Sequence, residues 1–155
     1  MQISTDTSHY KIIQVINHFG VAIDLRDWSS FRNLFAEEVN FDYSSIGEVA
    51  ATLVPEEIAR NARQDLAGFE STQHLITNHL VEVNDHTAKC HAHVRAMHYL
   101  PNEIAEPFLE MGGYYNAELI QKNSHWKIQS WKFFVLWSRG NHNLFALARK
   151  NNSIK

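Results

Sequence analysis

Residues 73–100 read QHLITNHLVEVNDHTAKCHAHVRAMHYL, and this stretch decides the fold class. Its side chains alternate with a period of two on both sides of a short polar turn, Asn84-Asp85-His86. A strand-like pattern of the same kind continues to about Trp137 and predicts a long antiparallel meander. Strands of this length must twist or bend, and Gly112-Gly113 is the predicted place. The four predicted strands are Gln73 to Val83, Thr87 to Leu100, Phe108 to Gln121 and Trp126 to Trp137.

The first half of the chain shows helical periodicity instead. From Ser8 to about Leu25, apolar residues recur at helical spacing and predict an amphipathic helix. Asp27 is placed to cap a second helix reaching Phe35, Val39 to Tyr43 alternates as a strand, and Pro55 begins a third helix. Helices followed by a meander predict an α+β domain. Its helices should pack on one face of a curved antiparallel sheet and close a cone with an apolar interior.

Composition limits the compartment in which the chain is expected to work. The 155 residues include one cysteine, Cys90, which excludes an intramolecular disulfide and favours a reducing cytoplasm. The N-terminus has neither a basic region nor an apolar run, and the longest apolar stretch is residues 133–137, so neither a signal peptide nor a membrane span is predicted. No linker interrupts the sequence. We expect one domain over residues 1–155, with a core of about 8–138 and a C-terminal tail of 139–155.

The net charge of the chain limits the kinds of molecule that it is expected to bind. Fourteen Lys and Arg against seventeen Asp and Glu give a net charge of −3, and no basic run is present. Nucleic acid is therefore not an expected partner, because that affinity comes from clustered cations on phosphates. The expected partner is a small apolar molecule, with no membrane involved. The long exposed face of the sheet also predicts a homo-oligomer, a dimer or trimer, since such a surface is commonly covered by another subunit.

The ten histidines are the unusual feature of the composition. On the strand from Thr87 to Leu100, His98 falls on the face of small apolar residues. His91 and His93 share the other face with Lys89 and Arg95. Two histidines at i and i+2 point the same way, as metal ligands do. Because neighbouring cations oppose a metal and no matching carboxylate cluster accompanies them, a solvated face is favoured and no metal site is predicted.

Three other residues have two open interpretations. His74 and His98 are each either structural core histidines or catalytic groups, and the pattern alone favours the structural role. Asp24 lies one residue after Ile23 on the apolar stripe of the first helix, where an acid is costly unless it is paired. It either bonds backbone amides at the helix end or orients an inward histidine, which fixes the imidazole tautomer and raises its basicity.

Several short motifs, taken in order, resemble a known family. The chain is similar to the SnoaL-like branch of the nuclear-transport-factor-2-like superfamily, and within it to enzymes of the scytalone dehydratase type. The resemblance runs from about Tyr10 to Trp137. It rests on Ile23-Asp24-Leu25-Arg26-Asp27-Trp28, Phe41-Asp42-Tyr43, Thr72-Gln73-His74, Arg95-Ala96-Met97-His98, Gly112-Gly113-Tyr114-Tyr115-Asn116 and His125-Trp126-Lys127-Ile128.

The resemblance implies roles for eight residues. His74 and His98 would be the two pocket histidines, Asp24 the acid that orients a histidine, and Tyr43 a tyrosine that polarises a substrate carbonyl through water. The remaining positions would contact substrate, and two of them depart from the dehydratase pattern: a tyrosine is replaced by isoleucine and a serine by tyrosine. These substrate-contacting positions are Asn116, Tyr114, Ile23 and Trp137.

The function expected from the resemblance is a lyase or isomerase that needs no cofactor and works by acid–base catalysis. A base of near-neutral pKa would remove a proton beside a carbonyl, and an acid would assist the departing hydroxyl. The two departures and the many aromatic residues predict a different substrate, an apolar ring-containing, polyketide-like or terpenoid-like carbonyl or hydroxyl compound. An aldol-type cyclase and a non-catalytic ligand-binding or assembly domain remain alternatives.

Overall fold

The computed structural model describes residues 3–153 and contains four α-helices, a short 3-10 helix and six strands. The order along the chain is helices, two short strands, a helix, four long strands and a final helix. The elements are α1 (Ile3–Asp24), α2 (Trp28–Arg32), β1 (Phe35–Asp42), the 3-10 turn Ser44–Ile46, β2 (Ala51–Leu53), α3 (Pro55–Leu66), β3 (Ser71–Asn84), β4 (Thr87–Tyr99), β5 (Phe108–Lys122), β6 (His125–Gly140) and α4 (Leu144–Asn152).

The strands form one sheet in the order β2-β1-β6-β5-β4-β3. The predicted meander is present as β3 to β6, with every neighbouring pair antiparallel. The sheet is extended by β1, which pairs with β6 in the parallel direction, so the sheet is mixed rather than wholly antiparallel. The predicted α+β class with N-terminal helices on a curved sheet is confirmed, and the sheet does not close into a barrel.

Two boundaries near the start of the sheet differ from the sequence prediction. The second helix ends at Arg32, and Phe35 already belongs to β1. Phe31 and Phe35 are both buried and their rings meet edge to face, so the spacing of four reflects one aromatic core reached from two elements. The helix beginning at Pro55 is present as expected.

The predicted C-terminal tail is structured as far as Ser153. Its first residues complete β6, and residues 144–152 form α4. Leu144 and Ala148 lie one turn apart on this helix and are completely buried against the rest of the core. The carbonyl of Ala148 would lie 1.8 Å from a side chain placed on Gly68, so α4 packs directly on the backbone after α3.

The long strands bend where their pairing register changes. The register of β5 against β6 shifts between Gly112 and Gly113, the predicted site, and β3 against β4 shifts between Thr77 and Leu80. A Cβ on Gly113 would lie 1.9 Å from the carbonyl oxygen of Phe134, so only glycine permits this approach. The curved inner face and the helices enclose the core and a cavity. No helix among residues 3–153 is long and apolar enough to cross a bilayer.

Candidate active site

Asp24, the last residue of α1, contacts His74 on β3. One carboxylate oxygen of Asp24, Oδ1, lies 2.7 Å from Nδ1 of His74, and the other, Oδ2, accepts the backbone N–H of His74 at 2.8 Å. A carboxylate can only accept, so Nδ1 of His74 carries the proton and donates it. Nε2 is therefore the nitrogen left with a lone pair. This is the arrangement of a histidine base oriented by an acid.

A glycine on α1 allows this contact. Gly20 lies one helical turn before Asp24 and is buried against β3. A Cβ on Gly20 would lie 2.9 Å from Cβ of His74 and 3.2 Å from Cδ1 of Ile76. The helix therefore approaches the strand more closely than any other residue would permit at this position, which brings Asp24 within reach of the imidazole.

His98 is the second histidine of the site, and its chemistry differs from that of His74. It is almost completely buried on β4, and its ring centroid lies 5.9 Å from that of His74. Nδ1 of His98 donates to the carbonyl oxygen of Leu109 at 3.2 Å. In the neutral ring Nε2 then carries no proton and can accept a hydrogen bond. Burial lowers the pKa of His98 to about 3, and the neighbouring His74 adds to the effect. His98 is therefore neutral at physiological pH and accepts hydrogen bonds.

Two tyrosines on other walls of the cavity provide donors. Tyr43 follows β1, and Tyr115 lies in the middle of β5. Burial raises the pKa of both phenols, and the two hydroxyl groups are close enough to interact. Both rings pack on Phe133, at centroid distances of 5.4 and 5.2 Å. Because the phenols keep their protons, they can donate hydrogen bonds to a ligand oxygen.

The histidines and tyrosines line one cavity of about 690 Å³. A volume of this size is typical of sites for small organic ligands. Most of the wall is aromatic or aliphatic, and α4 contributes a phenylalanine and an arginine to it. Arg149 of α4 pairs with Asp65 of α3 at 3.2 Å on the solvent-facing side. The apolar wall includes Phe19, Phe31, Phe41, Met111, Phe133 and Phe145.

Five of the eight residues proposed from the sequence lie around this cavity, and three lie elsewhere. Asp24 and His74 are in contact, and His74, His98, Tyr43 and Ile23 line the cavity wall. The assignment of Asn116, Tyr114 and Trp137 to the substrate site is corrected, because all three lie on the outer face of the sheet.

Contacts on the outer face show where these three side chains are. Asn116 Oδ1 bonds Nδ1 of His91 at 2.8 Å, and Tyr114 stacks on Phe134 at 4.8 Å. The Trp137 ring covers Gly112 on the same face. Strand positions alternate between faces, so a motif placed one residue out of register exchanges inward and outward side chains.

Sequence reasoning missed Tyr115 and the whole contribution of α4. Tyr115 lies between the two positions that the resemblance selected, on the buried side of β5. The alternation of Leu109, Met111, Tyr115 and Ala117 carried the signal, because these apolar residues all point inward. The short apolar stripe of α4 gave a weak signal within a polar terminal segment.

His91 and His93 on the outer face of β4 contact each other, and His93 also contacts a residue of β3. His91 and His93 lie 5.7 Å apart, and Nδ1 of His93 lies 3.2 Å from Nδ2 of Asn78. Among the residues whose side chains are described, no group of three or more His, Cys, Asp or Glu is placed to hold a metal ion.

The curved sheet covered by helices has the nuclear-transport-factor-2-like α+β fold, and in this chain an acid–histidine pair lies at the wall of its cavity. Residues 7–132 match the SnoaL-like domain family, so the chain belongs to that family. No curated protein sequence matches the chain at a significant level.

Solved structures are similar over nearly the whole chain. The Kfla4162 protein from Kribbella flavida shares 26% identity with a TM-score of 0.84, over 94% of this chain and 99% of that one. A candidate scytalone dehydratase from Novosphingobium aromaticivorans shares 17% identity with a TM-score of 0.80, over 92% and 93% of the two chains. The hexachlorocyclohexane dehydrochlorinase LinA-type3 from Novosphingobium barchaimii shares 14% identity with a TM-score of 0.77, over 92% and 95%. At the two lower identities the similarity shows the fold alone.

Proposed function

We propose that this protein is a lyase or isomerase that removes a proton beside a carbonyl group of an apolar, ring-containing substrate, without a cofactor. The observation that carries the proposal is the 2.7 Å contact between Asp24 and His74 on the wall of the cavity. Dehydratase-type and dehydrochlorinase-type proteins among the structural neighbours support a reaction of this class.

The first step is proton removal by His74. Nε2 takes the proton from the carbon beside the carbonyl, and the C–H electron pair becomes part of an enolate. The imidazolium that forms is stabilised by Asp24, which already holds Nδ1–H. Tyr43 and Tyr115 donate hydrogen bonds to the enolate oxygen, where the negative charge develops.

The second step delivers a proton from the same histidine. His98 does not serve as the acid, since burial keeps its pKa at about 3 and Nδ1 is bonded to Leu109. The His74 imidazolium therefore donates the proton. In dehydration the proton goes to the departing hydroxyl, the C–O bond breaks and water leaves. In isomerisation the proton goes to a different carbon of the enolate. One base thus serves both reactions.

His98 and the cavity wall indicate the kind of substrate that the site suits. His98 presents Nε2 as an acceptor, so it suits a substrate hydroxyl that donates to it. The remaining wall is mainly apolar, with several aromatic rings, and suits an apolar ring system. The best candidates are cyclic polyketide-like or terpenoid-like ketones with a hydroxyl group near the carbonyl.

Enolate formation can be tested before the natural substrate is known. A panel of cyclic ketones and β-hydroxyketones is incubated with the protein in D2O, and deuterium incorporation and loss of water are followed by mass spectrometry. We expect exchange or dehydration of at least one compound, lower by about 10²–10⁴-fold in H74A. Asn116→Ala is the control, since Asn116 lies outside the cavity.

The outcomes separate the alternatives. Exchange that is unchanged in H74A would overturn the proposal. Binding of panel compounds without any exchange would favour the ligand-binding alternative. Carbon–carbon bond formation from an open-chain diketone would favour an aldol-type cyclase, which begins from the same enolate.

A further inference from the structure

We propose that Arg26 and Thr72 are positioning residues that set the charge and orientation of the Asp24–His74 pair. This inference rests on the proposed function of that pair as the base of the site. It assigns a role to a cation that does not line the cavity and that touches the acid only through a hydroxyl group.

Arg26 is held in an uncommon backbone conformation just after α1. Its φ angle is +59°, in the left-handed region that favours glycine or asparagine. In this conformation Nη1 lies 2.7 Å from the carbonyl oxygen of Ile23 and 2.7 Å from Oγ1 of Thr72. The chain therefore turns back at Arg26 and directs the guanidinium at the first residues of β3.

The chemistry of the guanidinium determines the direction of the next hydrogen bond. Arginine has only donors, so Thr72 Oγ1 accepts from Arg26. The single hydroxyl proton of Thr72 is then directed to Oδ1 of Asp24, 3.0 Å away. Arg26 thus prevents the Thr72 hydroxyl from turning its lone pairs toward Asp24, where it would repel the carboxylate.

The carboxylate of Asp24 is consequently held by three donors. Oδ1 accepts from the Thr72 hydroxyl and from Nδ1 of His74, and Oδ2 accepts the backbone N–H of His74. Thr72 and His74 lie two residues apart on β3, so both side chains point to the same face. A carboxylate with three donors from one strand cannot rotate without losing them.

Arg26 also acts as a charge. It is half-buried, which lowers the pKa of its guanidinium, and the attraction of Asp24 opposes that decrease. A guanidinium remains protonated at all physiological pH values. Its positive charge, carried through Thr72, draws electron density from Oδ1 and limits how strongly Asp24 favours the imidazolium form of His74. His98 and Tyr115 are the other titratable groups that interact with this pair or with Asp24.

The experiment follows the His74 ring directly by NMR of the full chain labelled with ¹⁵N-histidine. The Nδ1–H signal and its pH titration are assigned by their absence in H74A. We expect Arg26→Gln and Thr72→Val each to raise the pH at which His74 becomes imidazolium, by about half to one pH unit. Arg26→Lys and Thr72→Ser keep a cation and a hydroxyl and should titrate close to the wild type.

Arg32→Gln is the matched control, because Arg32 is an exposed arginine six residues later that pairs with Glu56, away from the Asp24–His74 pair. Titration of R26Q and T72V at the wild-type pH would overturn the inference, even if both variants were less heat-stable. T72V removes only a hydroxyl and keeps the shape, so it gives an answer if R26Q fails to fold. The NMR result does not depend on turnover, so a failed substrate panel with shifted titrations would contradict the proposed function alone.

Discussion

Asp24 and His74 are separated by 50 residues in the chain, yet their side chains meet at 2.7 Å. The helix end supplies the acid and the strand supplies the base. Because the strand also donates its own backbone N–H to the acid, the pair is held by main-chain geometry as well as by the side chains. Because His74 lines the cavity, this contact places an oriented base at the cavity wall.

Asp24→Asn should reduce any exchange or dehydration activity by about 10²–10⁴-fold while leaving the fold intact. The amide keeps the shape of the carboxylate, but it loses the charge that stabilises the imidazolium and can donate to Nδ1, which favours the wrong tautomer. The measurement is the deuterium-exchange rate at saturating ketone, with N116D as the control on the outer face. Wild-type exchange in D24N would show that Asp24 does not assist the base.

Tyr115→Phe and Tyr114→Phe form a matched pair of variants. Tyr115 faces the cavity and Tyr114 stacks on the outer face, although they are adjacent in sequence. We expect Y115F to lose about 10–100-fold in exchange rate, because a donor to the enolate oxygen is removed. Y114F should match the wild type within error. Equal effects of the two substitutions would contradict the proposed role of Tyr115.

Acidification should destabilise the protein through His98. An unfolded histidine takes up a proton near pH 6.5, whereas burial lowers the pKa of folded His98 to about 3. Between these pH values the unfolded state binds the extra proton, so stability falls as pH falls, by up to about 1.4 kcal/mol for each pH unit.

Urea unfolding of wild type and His98→Gln at pH 7, 5.5 and 4.5 measures this effect. The wild-type free energy of unfolding should decrease more steeply with falling pH than that of H98Q. His125→Gln is the control, because His125 is exposed at the turn between β5 and β6. Parallel pH dependences for wild type and H98Q would mean that His98 titrates normally in the folded state.

Gly20→Ala should destabilise the protein although alanine is the better helix former. In an open helix this change stabilises by roughly 0.5–1 kcal/mol. Here the new Cβ would lie 2.9 Å from Cβ of His74, so α1 or β3 must shift. We expect a loss of about 1–3 kcal/mol in thermal or urea unfolding, together with a perturbed His74 NMR signal. Val21→Ala, at an exposed neighbouring position, should change stability little. Stabilisation by G20A would argue against this close approach.

The oligomeric state stays a prediction that light scattering can test. The outer face of the sheet exposes part of Trp137 and carries the Tyr114–Phe134 stack. We expect a mass two or three times the 17.9 kDa of one chain, reduced by Tyr114→Glu but not by Tyr10→Glu on α1. A monomeric mass for the wild type would rule out the predicted assembly.

Sequence periodicity predicted the long strands well, and most clearly β4, which has one buried and one more exposed face. The burial of β4 alternates residue by residue, and His98 lies on its inner face as the pattern indicated. Periodicity was less informative at the start of β1. Phe31 and Phe35 have helical spacing, so the predicted helix extended to Phe35, although α2 ends at Arg32. Periodicity also gave little warning of α4, whose contribution to the core depends on packing against α3 and not on a strong local pattern.

The site was predictable only in part, and the division has a physical basis. Local patterns along the chain determined the α+β class, the long strands and the small set of histidines and acids worth considering, since side-chain periodicity is a property of neighbouring residues. Register, packing and turn geometry brought Asp24 to His74, turned Asn116 outward and Tyr115 inward, and placed Arg26 behind the pair. Those relationships join residues far apart in sequence, where a shift of one position reverses the face, so only the tertiary structure decided them.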